Sequence, residues 1–139
     1  MKMLNKKATG IFNIILGLLG ENDYIKIDNT NGAFMPLSVE RLYKVDGDRD
    51  VISLAHYFEQ NGDLVQDPEM LFVVVNEEMI MPISIQHAFG RMNEGVVFEN
   101  NKMTGVYIKA QKDMTVFAGM WLNNIKDQQG LNRKMLSNK

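Results

Sequence analysis

Between Ser53 and Met70 the chain sets one imidazole and four carboxylates among amides and turn residues: His56, Tyr57, Glu59, Gln60, Asn61, Asp63, Asp67 and Glu69. Such groups can move protons, hold a hard cation through oxygen ligands, or recognise a partner. Which of these is open depends on where the side chains point. Read as a strand, Val51–Gln60 places Ile52, Leu54, His56 and Phe58 on one face and Ser53, Ala55, Tyr57 and Glu59 on the other. His56 and Glu59 then point apart, which argues against an acid–base dyad needing hydrogen-bond reach. On a face with Ile52 and Leu54, His56 reads first as a hydrogen-bonded core residue.

Asn61-Gly62 is a turn pair, and Asp67-Pro68-Glu69-Met70 fits a type I turn with Asp first and Pro second. One reading of residues 59–72 is therefore a rigid polar connection in which Asp63 and Asp67 accept backbone N–H bonds. A second is a ligand- or partner-binding site made by His56, Tyr57, Glu59, Gln60, Asn61, Asp63, Asp67 and Glu69. A third is an Mg²⁺ or Ca²⁺ site, which requires Glu59, Asp63, Asp67 and Glu69 to converge. No residue is assigned a catalytic or metal-ligating role, and no cofactor is expected.

Much chemistry is absent from the sequence. It has no glycine-rich dinucleotide or phosphate loop, no Gly-x-Ser-x-Gly elbow and no His-Glu-x-x-His pair. Asp46-Gly-Asp48-Arg-Asp50 starts like a calcium loop but has Val51 where a glycine must turn and Tyr57 where a bidentate glutamate must sit. A charged hairpin turn accounts for it. The second histidine, His87, has no base or nucleophile beside it in sequence. With no cysteine there are no disulfides, thiolate sites or cysteine nucleophiles, which suits a cytoplasmic setting. The net charge of −2 brings no basic stripe, so direct nucleic-acid binding is not expected. The eleven methionines read as adaptable core filler, with a re-packable binding surface as the other possibility.

The elements that must position these residues follow from periodicity. Ala8, Ile11, Phe12, Ile15, Leu16 and Leu19 share one face of a helix over roughly 4–20, with Gly20 just past its end. The stretch is too short to cross a bilayer, and no small-residue cleavage site follows it, so it reads as a core helix and not a signal peptide. Alternating strands are expected at Asp23–Asp28, Phe34–Val45, Val51–Gln60, Met70–Val75, Met79–Gln86, Val96–Glu99 and Met103–Lys109, joined by short turns. Pro82 places the fifth at an edge or delays its start. A second helix carries Met114, Phe117, Ala118, Trp121, Leu122 and Ile125 on one face, with Asp113 as candidate N-cap and Gly130 after its end. The tail after Leu136 is expected to fray. At 139 residues the chain fits one domain, residues 1–139. The fold class is α+β: a mostly antiparallel sheet of six or seven strands with both terminal helices on one face.

Several blocks together resemble a known family. They are Asp28–Glu40, Ala55–Leu64 with Asp67-Pro68-Glu69-Met70, Pro82–Gln86 and Trp121–Gly130. The family comprises small proteins of phages, plasmids and conjugative elements, classed as a domain of unknown function. The His-Tyr-x-Glu-Gln-Asn-Gly-Asp-Leu…Asp-Pro-Glu-Met block is the specific part, and Gln86–Gly90 departs from the family's more acidic version. The resemblance brings no activity with it; it implies a mobile-element setting. The resulting expectation is a non-enzymatic binding protein that inhibits a host defence or nuclease system, the anti-CRISPR proteins being one such kind, by stoichiometric binding. Its partner would be a host protein or a small signalling molecule. The alternative is a small carboxylate-based enzyme, or a metal- or small-molecule-binding module, centred on residues 56–70.

Overall fold

The computed structural model describes residues 2–138. Helix α1 (Lys6–Leu19) leads into strands β1 (Tyr24–Ile27), β2 (Leu37–Val45), β3 (Arg49–Gln60), β4 (Asp63–Asn76), β5 (Met79–Gln86), β6 (Met92–Glu94), β7 (Val96–Glu99) and β8 (Lys102–Val106), followed by helix α2 (Ile108–Gln129) and a 3-10 turn, Arg133–Asn138. Strands β1 to β6 pair antiparallel in chain order as one six-stranded sheet, and β7–β8 is a separate two-stranded ribbon. The fold is α+β, as expected. The side chains after Leu136 and the terminal Lys139, where fraying is expected, lie outside the described residues.

Alternation along the strands divides the core in two. Leu37, Val39, Ile52, Leu54, Met70, Phe72, Ile80 and Ile85 join Phe12, Ile15 and Leu19 of α1 and Met114, Trp121, Leu122 and Ile125 of α2 in one cluster, so both helices cover the same sheet face. On the opposite face Val45, Val51, Val73, Met81 and Ile83 pack against Val96, with Phe98 and Met103 of the ribbon. The ribbon covers only that half of the second face.

Asn5 caps α1, its Oδ1 accepting from the Ala8 N–H at 2.8 Å. Helix α2 starts six residues earlier than Asp113 as N-cap suggests, and its N-cap, Tyr107, gives no side-chain bond. Gly105-Val-Tyr-Ile is strand-prone locally. Tertiary bonds override it: the Tyr107 N–H goes to the Gly95 carbonyl, while the Tyr107 carbonyl accepts from Gln111 N–H and opens the helix. Pro82 sits at a register shift in β5, where β6 does not reach. The carbonyls along that stretch are satisfied from outside the sheet. The Leu4 N–H bonds Ile80, Gln111 Nε2 bonds Pro82 and Gly95 N–H bonds Ile83. The expectation of an edge position for Pro82 thus holds for half of the strand only. Strand β6 is not apparent in the sequence.

Candidate functional site

The polar segment is not a loop. β3 and β4 run directly into one another through Asn61-Gly62, whose φ angles of 52° and 86° make the left-handed pair of a two-residue hairpin turn. The neighbours stop short: β2 pairs only as far as His56, and β5 only as far as Glu69. Residues 57–66 therefore form a two-stranded arm that projects beyond the sheet. Exposure is greatest at its end: residues 59–64 are exposed, while Tyr57, Phe58, Val65 and Gln66 at its base are half-buried.

At the root of the arm the register slips. Ala55 faces Glu69, and Tyr57 faces Gln66, so β3 advances two residues while β4 advances three. The extra residue is a bulge around Asp67-Pro68, whose peptide is cis. A type I turn there is corrected to a bulged strand. β3 itself stays regular, and the predicted site residues divide accordingly.

His56 faces the helices. It is 6% exposed, its Nδ1 accepts the Trp121 indole N–H at 3.4 Å, and its Nε2 has no hydrogen-bond partner. Burial holds its pKa below the usual 6.5. Tyr57 and Glu69 face the other way. Glu69 accepts a 2.8 Å hydrogen bond from the Ser53 hydroxyl. Burial first, then the charges of Glu69 and Glu40 and the nearby Tyr24, push the Tyr57 phenol above its usual 10.0. Glu59, Gln60, Asn61 and Asp63 lie exposed on the arm. Asp63 and Asp67 do not bond backbone N–H groups as expected. Asp63 is exposed at the tip, and the bulge turns Asp67 toward His87, whose Nδ1 lies 3.2 Å from Asp67 Oδ1. The four carboxylates do not converge, and among the described residues no three potential metal-ligating side chains come together. Nor do the aspartates of the Asp46–Asp50 turn form a cation loop: Asp46 Oδ1 accepts from Met103 N–H, and Asp50 pairs with Arg41 and Lys44.

His87 is the residue that sequence reading left without a partner. Register carries the signal: counting outward through the β4–β5 pairs, with Glu69 opposite Gln86, sets Asp67 beside His87. His87 also edges an open cleft of about 670 Å³ between the start of α2 and the β5–β6 end of the sheet. Ile85, Met114 and Phe117 make its apolar wall, and Asn93 and Lys109 add polar groups. His87 meets Phe117 edge-on at 5.4 Å, Phe117 neighbours Trp121 at 6.1 Å, and Trp121 meets His56 edge-on at 5.4 Å. Four rings thus link the cleft to the core. With Asp67 accepting from Nδ1–H, a neutral His87 keeps Nε2 as a proton acceptor. Among the described residues no serine or threonine lines the cleft to receive that help as a nucleophile.

A family model described as a domain of unknown function, DUF6908, matches residues 2–131. The chain belongs to this family. The match runs from the segment before α1 through every strand to Leu131 beyond α2, so the arm and the His87 cleft are both within the family's domain. No curated protein and no solved structure matches the chain. Among the described residues no helix is long and apolar enough to cross a membrane.

Proposed function

We propose that this is a non-enzymatic binding protein of a phage or other mobile genetic element, acting in the cytoplasm, and that it inhibits a host defence or nuclease system by stoichiometric association. The observation that carries the reading is the β3–β4 arm. A free two-stranded hairpin is marginal in water, and residues 59–64 of this one are exposed. Such an arm is built to meet something else. Leu64 near its tip is 74% exposed, an apolar anchor among the polar groups Glu59, Gln60, Asn61 and Asp63. The mobile-element setting rests on the sequence resemblance.

The test is protection of an incoming phage or plasmid in a host with active defence systems. Protection should titrate with the amount of protein, since a binder is consumed one for one. Leu64→Asp should abolish it while leaving the melting temperature unchanged. Turnover of a substrate by sub-stoichiometric protein would sink this reading. A second reading, a small enzyme or small-molecule-binding module, draws on the Asp67–His87 pair beside the cleft. It predicts the reverse pattern, with His87→Ala abolishing function and Leu64→Asp tolerated.

A further inference from the structure

The cleft beside His87 has two walls of different chemistry. On the sheet side, Asn93 is directly opposite Ile85 across β5–β6, and Asn93, Ile85 and His87 all line the cleft. On the helix side, Lys109, Asp113 and Phe117 line it at i, i+4 and i+8, one face of α2. The floor between the walls is apolar, with Ile85 7% exposed and Met114 3%. At about 670 Å³ the cleft has the size and the mostly apolar floor of a small-molecule site.

The polar groups around that floor are either uncommitted or aimed. The side chains of Lys109, Asp113 and Asn93 take no hydrogen bond or ion pair among the described residues. Lys109 and Asp113 thus stand one turn apart, opposite in charge and unpaired. His87 is aimed: the bulge in β4 turns Asp67 toward it, and Asp67 Oδ1 lies 3.2 Å from Nδ1, so the neutral ring keeps Nε2 as an acceptor. His87 and Phe117 meet with their planes 85° apart, making a corner of two rings. Along α2 the cleft therefore presents an ammonium, a carboxylate and an aromatic ring at steps of about 6 Å.

We propose that this cleft binds a free purine nucleoside monophosphate. The ladder on α2 matches the order of its parts. The phosphate meets Lys109, the ribose hydroxyls donate to Asp113, and the base seats in the His87–Phe117 corner above Ile85 and Met114. A purine edge carries N–H donors beside ring acceptors; His87 Nε2 accepts from the first, and the Asn93 amide can pair with either. One ammonium suits one phosphate group. A net charge of −2 without a basic stripe offers no track for a nucleic-acid strand. The inference goes beyond the reading of the arm and does not depend on it.

The test is an NMR titration of the ¹⁵N-labelled protein with AMP and GMP, their nucleosides, their 2′,3′-dideoxy forms, inorganic phosphate and an RNA tetranucleotide. The expected result is saturable shifts at the amides of residues 87, 93, 109, 113 and 117 with at least one monophosphate, at a Kd below about 1 mM. Its nucleoside should bind at least about tenfold more weakly. Lys109→Met should bring the nucleotide down to the nucleoside and leave the nucleoside unchanged. Asp113→Asn should remove the preference for ribose over dideoxyribose. Both positions are exposed, and unchanged melting temperatures separate a lost contact from a lost fold. A nucleoside bound as well as its nucleotide overturns the proposal, as do equal shifts from inorganic phosphate, tighter binding of the tetranucleotide, a wild-type profile in either variant, or no saturation. Leu64→Asp should bind the nucleotide as the wild type does. Protection without nucleotide binding would therefore uphold the arm and refute the cleft, and nucleotide binding with Leu64→Asp fully protective would do the converse.

Discussion

Acidification should destabilise this protein through His56 before it does so through the carboxylates. The side chain is 6% exposed, Nδ1 is occupied by the Trp121 indole N–H, and Nε2 has no partner. An imidazolium would need acceptors at both nitrogens, and here one faces a donor and the other faces nothing. The folded-state pKa is accordingly below 6.5, with burial as the cause. The sign follows from linkage: below pH 6.5 the unfolded chain takes up a proton that the folded chain refuses, so stability is intact above 6.5 and is lost as pH falls toward the folded pKa. The slope in that window is at most about 1.4 kcal/mol per pH unit. Urea unfolding between pH 7.5 and 5, followed through the single tryptophan, measures it with a reporter in contact with the titrating ring. His56→Leu should flatten the profile. At pH 7.5 the variant should be nearly neutral, since it removes one unpaired group, Nε2, and strands another, the Trp121 N–H, each at roughly 1–3 kcal/mol. An equal slope in wild type and His56→Leu would refute the argument.

Trp121→Ala should lower stability by about 3–5 kcal/mol in chemical denaturation, because it empties a nearly buried site between α2 and the sheet. Asp67→Asn should shift stability by less than about 1 kcal/mol in the same assay, since its partner is a half-exposed histidine and not a buried backbone donor; a large loss would restore the turn reading. Gly62→Ala should cost about 1–3 kcal/mol by thermal melting, as φ is 86° there and the Asn61-Gly62 pair sets the register of the arm.

The sheet and both helices are legible in the sequence because they are written in periods. Ala8, Ile11, Phe12 and Ile15, or Met114, Ala118, Trp121 and Ile125, can only be core-facing stripes, and Asn61-Gly62 announces a hairpin. The misreadings share a cause: they concern residues whose role depends on where neighbouring elements end. Residues 61–69 read as a polar connection, yet only Asn61-Gly62 turns and β4 already runs from Asp63, beyond the point where β2 and β5 stop at Leu37 and Gln86. The buried Gln111 and Gln129 could not be anticipated from helical spacing. Each is drawn inward by a distant backbone group: Pro82 carbonyl and Lys2 N–H for Gln111, Asn29 N–H and Met35 carbonyl for Gln129. The set of residues singled out by sequence is likewise real as a stretch of chain and divided in space. His56 belongs to the core, Asp67 to the edge of the His87 cleft, Tyr57 and Glu69 to the opposite sheet face, and Glu59 to Asp63 to the arm. The division favours recognition over catalysis. A reaction needs its groups within hydrogen-bond reach of one substrate atom, whereas a partner protein can touch the arm and the face at its root at once.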